Sequence, residues 1–177
     1  MSQKNPLTWF ITGCSSGFGR ELTKVVLACG YRAVVTARNT KQIEDLVAGY
    51  EDRTLALRLD VTDPAQVAES VRHAEEYFGG IDVLVNNAGI GYFAAVEESV
   101  EKDIRRMFEI DFFGLARMIH AVLPGMRKRR RGHISSTFPP FAGWRRSPAS
   151  ATTAGPSSQS RVCPSAWPRK SGHWGSR

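Results

Sequence analysis

Three glycines near the N-terminus have a spacing that indicates chemistry, in the run TGCSSGFG over residues 12–19. Gly13 permits a tight turn, Gly17 lets a pyrophosphate approach the backbone, and Gly19 lets a following helix pack close to a strand. The free N–H groups and the dipole at the start of that helix attract phosphate. A purely structural turn is the alternative, but the position between an apolar run and a helical pattern favours a phosphate site. Its residues are predicted to be Gly13, Ser15, Ser16, Gly17, Phe18 and Gly19.

Two charged residues are predicted to lie where a nucleotide would continue from that turn. Arg38 follows the second apolar run, at the position that meets the adenosine ribose in a dinucleotide fold. An arginine there can pair with the 2′-phosphate of NADP, whereas an acidic residue would bind the 2′-hydroxyl of NAD. Asp60, followed by Val61, ends the third run, where its carboxylate can accept from the adenine amino group. A solvated surface arginine and a turn-forming or capping aspartate are the alternatives.

A cluster of amide and small residues ends the fourth apolar run, where residues 86–89 are NNAG. Asn87, Ala88 and Gly89 are predicted to satisfy backbone groups at the edge of a crevice and to contact the cofactor ribose. Asn and Gly also favour ordinary turns, so a plain turn is the alternative.

The residues around these motifs alternate between strand and helix patterns. Strands are predicted over residues 7–11, 32–37, 54–59 and 81–85, and helices over residues 19–29, 41–50, 62–78 and 100–126. Strands separated by helices of this length form βαβ units, whose right-handed crossovers give a parallel sheet. The fold class is therefore predicted to be α/β.

The motifs TGxxxGxG, LDVT and NNAG, in this order and at these separations, resemble the short-chain dehydrogenase/reductase family over residues 7–134. The resemblance implies a Rossmann-like, doubly wound parallel sheet that binds NAD or NADP and transfers a hydride between the nicotinamide and a carbonyl or alcohol. It also implies that the intact family form is a homo-oligomer. The helix face containing Met118 and Val122 packs either in the core or, by the family parallel, at a dimer interface. Arg38 favours NADP over NAD.

The catalytic set of that family is Asn, Ser, Tyr and Lys, and this sequence departs from it. Asp111 stands at the position of the family's Asn, which acts through its backbone carbonyl, so Asp111 is the one catalytic candidate. No tyrosine follows Tyr92, and the family's Tyr-x-x-x-Lys motif, whose tyrosine supplies the proton, is absent from the printed sequence. The chain is therefore expected to be catalytically inactive. A reductase with a different proton donor is an alternative.

Residues 135–177 differ in composition from all that precedes them. These 43 residues include ten Ser, six Pro and four Gly, with a single member of the Ile, Leu, Val and Met group, so the segment is predicted to be disordered. If one base was lost near codon 134, the original reading frame allows codons for Ser at Pro140, Tyr at Thr153 and Lys at Ser157. This pattern indicates that the tail is translated out of frame. Residues 1–134 would then form an incomplete NAD(P)-binding domain. Its fourth strand is expected to have an unpaired edge and to promote aggregation.

Charge and composition argue against other classes of protein. Of the basic residues, six lie in residues 135–177 without any acid, whereas residues 1–134 hold 18 basic and 17 acidic residues. The basic run 127–131 is typical of a helix C-terminus, with a nucleic-acid patch as the alternative. Three scattered cysteines, no long apolar run and no signal-like start predict a cytoplasmic chain without a membrane or nucleic-acid partner. The histidines have no metal-binding spacing.

The function predicted from the sequence is therefore that of an NADP-dependent oxidoreductase, present here as an inactive fragment without the Ser, Tyr and Lys centre. Its expected partners are the dinucleotide cofactor, bound weakly, and, for the intact family form, a small carbonyl or alcohol substrate. A non-catalytic dinucleotide-binding module is the main alternative, and a nucleic-acid binder that uses the basic tail is another.

Overall fold

The computed structural model describes residues 6–136 of the 177-residue chain. Five strands form one sheet: β1 Thr8–Ile11, β2 Arg32–Ala37, β3 Thr54–Arg58, β4 Val83–Asn86 and β5 His133–Ser136. The α-helices of this part are α1 Gly17–Ala28, α2 Glu44–Val47, α3 Pro64–Phe78, α4 Glu101–Phe108 and α5 Leu115–Arg129. Short 3-10 turns occupy Thr40–Gln42 and Val96–Glu98, and a π-helical segment, Glu109–Gly114, joins α4 to α5.

The sheet is parallel throughout and has the strand order β3-β2-β1-β4-β5. Phe10 of β1 is paired with Val34 of β2 on one side and with Leu84 of β4 on the other. The chain therefore winds outward from β1 in two directions. This order confirms the predicted Rossmann-like, doubly wound α/β fold.

Helices cover both faces of this sheet. Phe10 belongs to a buried cluster that includes Met118 and Val122 of α5, whereas Ile11 belongs to a second cluster that includes Val26 of α1. Successive side chains of a strand point to opposite faces, so β1 contributes to both cores. Strands buried on both faces have continuous apolar sequences, and such runs predict β1 to β4. Met118 and Val122 are fully buried within the chain, as expected if this helix face packs in the core.

The start and end of α3 follow from local side-chain chemistry. The Asp63 carboxylate accepts hydrogen bonds from the backbone N of Ala65 and Gln66, and Pro64 occupies the first turn. Gly79 ends the helix in the left-handed conformation, with φ at 78°. Capping by aspartate and termination by glycine are both local effects, and the predicted element is confirmed.

The helix predicted over residues 41–50 is wrong as a single element. The chain first forms the 3-10 turn, where the Asn39 side chain accepts a hydrogen bond from Lys41 N at 3.1 Å. It then makes only the short helix α2, and leaves it at Ala48 (ψ 124°) and Gly49 (φ 81°). The extended alanine and the left-handed glycine stop the helix before the end of the apolar pattern.

The helix predicted over residues 100–126 is present, but it is interrupted and ends later. The π-helical segment separates α4 from α5, and α5 continues to Arg129 before a left-handed Arg130 (φ 52°). Gly114 lies at the junction, where an added Cβ would be only 2.6 Å from Cγ2 of Val61. This close tertiary contact and the wider π turn are not visible in a 3.6-residue period.

The predicted unpaired edge of β4 is wrong, whereas the domain boundary near residue 134 stays a prediction. Ser135 and Ser136 lie in β5, which pairs with β4 along its length. At the start of this pairing, His133 N donates to Asp82 O at 2.8 Å. Strand pairing uses backbone groups, so the change in composition at Ser135 does not prevent it. The predicted disorder of residues 137–177, and the restored codons there, lie outside the described residues.

Candidate cofactor-binding site

The carboxyl ends of β1 and β4 lie side by side, where the winding of the sheet changes direction. Ligands of open α/β sheets bind at such a switch point. Thr12, immediately after β1, donates its hydroxyl hydrogen to Val85 O at 3.3 Å. The Thr12 hydroxyl oxygen also accepts hydrogen bonds from the backbone N of Asn87 and of Ala88, each at 2.9 Å. One buried hydroxyl therefore holds the turn after β1 against the loop after β4.

The three glycines of the predicted phosphate site lie in the turn between β1 and α1. Gly13 and Gly17 both have left-handed backbones, with φ at 70° and 60°. A Cβ on Gly13 would lie 2.8 Å from Cα of Ala88, so the close approach of the two loops requires glycine. A Cβ on Gly17 would meet nothing within 4 Å, so its backbone faces open space. That opening fits the approach of a phosphate group.

The close approach predicted for Gly19 occurs, but toward the loop after β4 instead of toward the strand. An added Cβ would lie 2.6 Å from Gly13 O and even closer to the side-chain amide of Asn87. Asn87 is held there because its Nδ2 donates to Gly13 O at 2.9 Å. Asn87 therefore stabilises the glycine turn from the loop after β4. The Asn87 amide fits in this position because Gly19 has no side chain.

The N-terminus of α1 has the electrostatics of an anion site. Ser16 precedes the helix in an extended conformation, and its side chain makes no capping hydrogen bond. The first turn carries no acidic residue, while Ser16, Gly17 and Phe18 are exposed and Ser15 is half-buried. The first N–H groups of a helix lack intrahelical acceptors, and the helix dipole is positive there. The residues present therefore fit a dinucleotide pyrophosphate.

Cys14 lies within the same turn but has a structural environment. Its Sγ contacts Ile11 O at 3.2 Å, and its backbone N donates to Thr36 O at 2.8 Å. Burial raises the pKa of the Cys14 thiol above its ordinary value, which keeps the sulfur protonated. Cys14 therefore packs the turn, and nothing in its environment activates it as a nucleophile.

A second opening lies at the carboxyl ends of β2 and β3. It has a volume of about 190 Å³ and is lined by Arg38, Asp60, Thr62, Arg106, Glu109 and Ile110. The structure thus brings Arg38 and Asp60, two predicted adenosine-site residues, to one cavity. Asp60 Oδ1 accepts from Thr62 N at 2.9 Å and from Thr62 Oγ1 at 2.7 Å. The Asp60 carboxylate therefore stabilises a turn, as expected for the alternative of a turn-forming aspartate.

Val61 does not line that cavity, but it packs against the π-helical segment, whose residues Glu109 and Ile110 do. It is buried against Gly114, and its carbonyl oxygen accepts from Arg117 Nη1 at 3.4 Å. The α4–α5 unit is thereby fixed to the turn after β3. Val61 contributes to the site by positioning its wall.

Asp111, the catalytic candidate, lies in the π-helical segment and contacts the loop after β4. Its Oδ1 accepts a hydrogen bond from Ile90 N at 3.0 Å, and an added Cβ on Gly89 would lie 3.2 Å from the same oxygen. Burial raises the pKa of the Asp111 carboxyl, and the hydrogen bond from Ile90 opposes this effect. The side chain therefore ties the helix to the loop that contains Asn87, Ala88 and Gly89.

The sequence does not single out Thr12, Thr62 or Arg106 as site residues. A hydroxyl residue directly between a buried strand and a glycine turn is a usable signal for Thr12. Arg106 carries no such signal, because only the docking of α4 brings it to the cavity that contains Arg38.

Two kinds of feature are not found in the part of the chain that the structure describes. Within residues 6–136, no three His, Cys, Asp or Glu side chains are grouped so that they could hold a metal ion. In the same residues, no helix combines the length and the apolar character needed to cross a membrane.

Comparison with known proteins agrees with this geometry. The family model described as short chain dehydrogenase matches residues 8–138. Human retinol dehydrogenase 8 is 40% identical over 137 residues, which cover 73% of this chain and 43% of that protein. The NADP-dependent 3-hydroxy acid dehydrogenase YdfG of Shigella flexneri is 33% identical over 136 residues, which cover 76% and 54%. The crystal structure of a short-chain dehydrogenase from Streptomyces avermitilis is 41% identical, with a TM-score of 0.73, over 76% of this chain and 49% of that chain.

The chain therefore spans about half the length of the relatives it matches. The matched region contains all five strands, the glycine turn and the loop after β4. The chain belongs to the short-chain dehydrogenase family, whose fold binds nicotinamide dinucleotide cofactors.

Proposed function

We propose that this chain is the NADP-binding part of an oxidoreductase that acts on carbonyl or alcohol groups, without a working proton-transfer centre of its own. The observation that carries the proposal is the glycine turn at the switch point of the sheet. There, the open backbone at Gly17 lies beside an uncapped helix N-terminus. A bound cofactor would supply hydride transfer between its nicotinamide ring and the substrate.

The residues of the chain have distinct tasks in this proposal. Gly13, Ser15, Ser16, Gly17, Phe18 and Gly19 form the pyrophosphate site. Asn87, Ala88 and Gly89 contact the ribose on the nicotinamide side, Asp60 borders the adenine, and Val61 positions the wall beside it. Support comes from the hydrogen bonds of Thr12, which hold the pyrophosphate turn and the loop after β4 in register.

NADP is proposed in preference to NAD because Arg38 follows β2, where the adenosine ribose lies in this fold. Its side chain is exposed at the cavity that Asp60 also lines. A guanidinium group forms paired, charge-assisted hydrogen bonds with a phosphate. A ribose hydroxyl carries no charge and cannot form such a pair. The NADP dependence stated in the name of the Shigella relative supports the same choice.

Catalytic inactivity is proposed because the printed sequence lacks the Tyr-x-x-x-Lys motif. Asp111 stands at the position of the family's Asn, which acts through its backbone carbonyl, so Asp111 does not replace the missing tyrosine and lysine. The missing tyrosine and lysine also favour a second candidate function, a dinucleotide-binding module with no catalysis. The two candidates differ in affinity: a module would bind NADPH tightly, and an incomplete enzyme would bind it only weakly.

Titration of the full chain with NADPH and with NADH, by isothermal titration calorimetry, tests the proposal. We expect NADPH to bind roughly tenfold more tightly than NADH, because the 2′-phosphate forms charge-assisted hydrogen bonds. Arg38→Gln should reduce the preference. The control, Arg72→Gln, changes an exposed arginine on α3 that pairs with Glu76, and it should leave the preference unchanged.

The affinity and a turnover assay together decide between the alternatives. NADPH consumption with a panel of aldehydes and ketones should equal the rate without protein. Weak binding without turnover supports an incomplete enzyme, and sub-micromolar binding without turnover supports the module. Turnover would overturn the proposed inactivity, and binding of neither dinucleotide would overturn the proposed function itself.

A further inference from the structure

Arg106 of α4 lines the same cavity of about 190 Å³ as Arg38, although the two residues come from separate parts of the chain. We propose that Arg106 is a second specificity-determining residue for NADP, which contacts the 2′-phosphate together with Arg38. This inference rests on the proposed function, because it assumes that the adenosine end of a dinucleotide occupies this cavity.

The helical course of the chain from α4 into the π-helical segment places Arg106 on the wall of the cavity. Arg106, Glu109 and Ile110 all line it, and residues three and four positions apart share one face of a helix. The helix is held in this orientation two turns farther along the chain. There, the absence of a side chain at Gly114 allows contact with Val61.

The charges around the cavity leave the two arginines without acidic partners. Glu109 is paired with Arg117, at 2.5 Å between Oε1 and Nη2. The Oδ1 atom of Asp60 is occupied by Thr62. Among residues 6–136, no carboxylate lies within ion-pair distance of either Arg38 or Arg106. Two unpaired guanidinium groups at one small cavity favour an anion between them.

A 2′-phosphate matches this arrangement in charge and in hydrogen-bonding capacity. A phosphate monoester carries close to two negative charges near neutral pH and has three strong acceptor oxygens. One arginine can satisfy two of those oxygens, and a second arginine lining the same cavity can bind the third. A 2′-hydroxyl has neither the charge nor the three acceptor oxygens. Arg106 should therefore raise the affinity for NADP and have little effect on the affinity for NAD.

The test uses the full chain and two small probes that isolate the adenosine end, adenosine 2′,5′-bisphosphate and 5′-AMP. Arg106→Gln is expected to weaken binding of the bisphosphate roughly tenfold and binding of 5′-AMP less than about twofold. Arg105→Gln is the matched control. It removes the same charge from the neighbouring position of α4, but Arg105 pairs with Glu101 and does not line the cavity.

Each outcome has a defined meaning. Selective loss of bisphosphate affinity in Arg106→Gln, with Arg105→Gln unchanged, supports the inference. Equal loss of both ligands, equal effects of the two variants, or no effect of Arg106→Gln overturns it, and the proposed function stands as long as the wild-type chain binds. If the wild-type chain binds neither probe nor NADPH, the proposed function fails and the inference fails with it.

Folding of the variants can be checked separately. Arg106 is exposed, so its replacement should leave the urea unfolding midpoint unchanged. Arg106→Lys provides a second variant that keeps the charge but loses the paired hydrogen bonds of guanidinium. It should bind the bisphosphate with an affinity between those of the wild type and Arg106→Gln. An affinity equal to that of Arg106→Gln would contradict the electrostatic part of the inference.

Discussion

The side-chain amide of Asn87 lies directly against Gly19 at the start of α1, since a Cβ added to Gly19 would fall 2.3 Å from Nδ2 of Asn87. The same nitrogen donates to the carbonyl oxygens of Thr12 and Gly13, at 3.0 and 2.9 Å. Asn87 thus supports the glycine turn from the loop after β4, and Gly19 leaves the space in which the amide fits. The turn and the loop are one structural unit.

Replacement of Gly19 by alanine is therefore expected to destabilise the chain. The new methyl group would overlap the Asn87 amide and would lie 2.6 Å from Gly13 O. Overpacking of this kind costs about 1–3 kcal/mol, and the better helix propensity of alanine offsets up to about 1 kcal/mol of it. The net loss of about 1–2 kcal/mol can be measured by urea unfolding followed by circular dichroism.

The control for that prediction is Gly17→Ala, at a position where an added Cβ has open space. Its cost of about 1 kcal/mol should come only from the left-handed backbone (φ 60°). In an Asn87→Ala background, the cost of Gly19→Ala should fall and that of Gly17→Ala should not. The contact between Gly19 and Asn87 would be disproved by equal costs of Gly19→Ala in both backgrounds.

Thr12→Val should destabilise the chain by about 2–3 kcal/mol. Valine has nearly the same shape, but it leaves the N–H groups of Asn87 and Ala88 without the acceptor that now lies at 2.9 Å. Thr12→Ser keeps the hydroxyl and loses one methyl group, so it should cost only about 1 kcal/mol. Equal unfolding free energies for the valine and serine variants would show that the hydroxyl does not join the two loops.

Asp111→Asn should stabilise the chain slightly at neutral pH. An amide oxygen can accept the hydrogen bond from Ile90 N as the carboxylate does at 3.0 Å, and it carries no charge to be buried. The gain should be about 0.5 kcal/mol, because a half-exposed carboxylate keeps much of its hydration. Unfolding curves of the two proteins at pH 7 measure this difference. An exposed carboxylate, Glu98, provides the control substitution Glu98→Gln, which should change stability little.

The pH dependence of that difference has a definite sign. Burial raises the pKa of the Asp111 carboxyl in the folded chain, so the folded state holds this proton to a higher pH than the unfolded state does. As pH rises from the unfolded value of about 3.9 through the raised folded value, wild-type stability falls relative to the asparagine variant. Below both values the two proteins should converge. A gap that widens toward acidic pH would contradict the direction of the shift.

Arg129, within the basic run 127–131, is expected to be structural. Its Nη2 donates to Ile81 O at 2.9 Å, and its Nη1 pairs with Glu75 at 3.1 Å. Arg129→Ala should cost about 1–2 kcal/mol, because it removes a charge-assisted hydrogen bond and leaves Glu75 without this partner. Lys128→Ala, at an exposed position of the same turn, should change the unfolding free energy by less than about 0.5 kcal/mol. Similar costs for the two variants would indicate that the run acts only as surface charge.

Local chemistry made much of this protein predictable from its sequence. The apolar runs predict β1 to β4 because strands buried on both faces need apolar side chains along their whole length. Asp63 and Gly79 predict the limits of α3, since a capping carboxylate and a left-handed glycine act on neighbouring backbone groups. The glycine turn and NNAG predict where the candidate site lies, because the carboxyl ends of parallel strands share one edge of the sheet.

Other features depend on which distant residues meet, and only the tertiary structure decided them. Three features arise from packing between separate elements. They are the contact of Asn87 with Gly19, the cavity shared by Arg38 and Arg106, and the π-helical segment next to Val61. Addition of β5 to the sheet depends on backbone hydrogen bonds, which composition does not reveal. A periodic pattern records which face of an element is buried, but it does not record the residues that pack against that face.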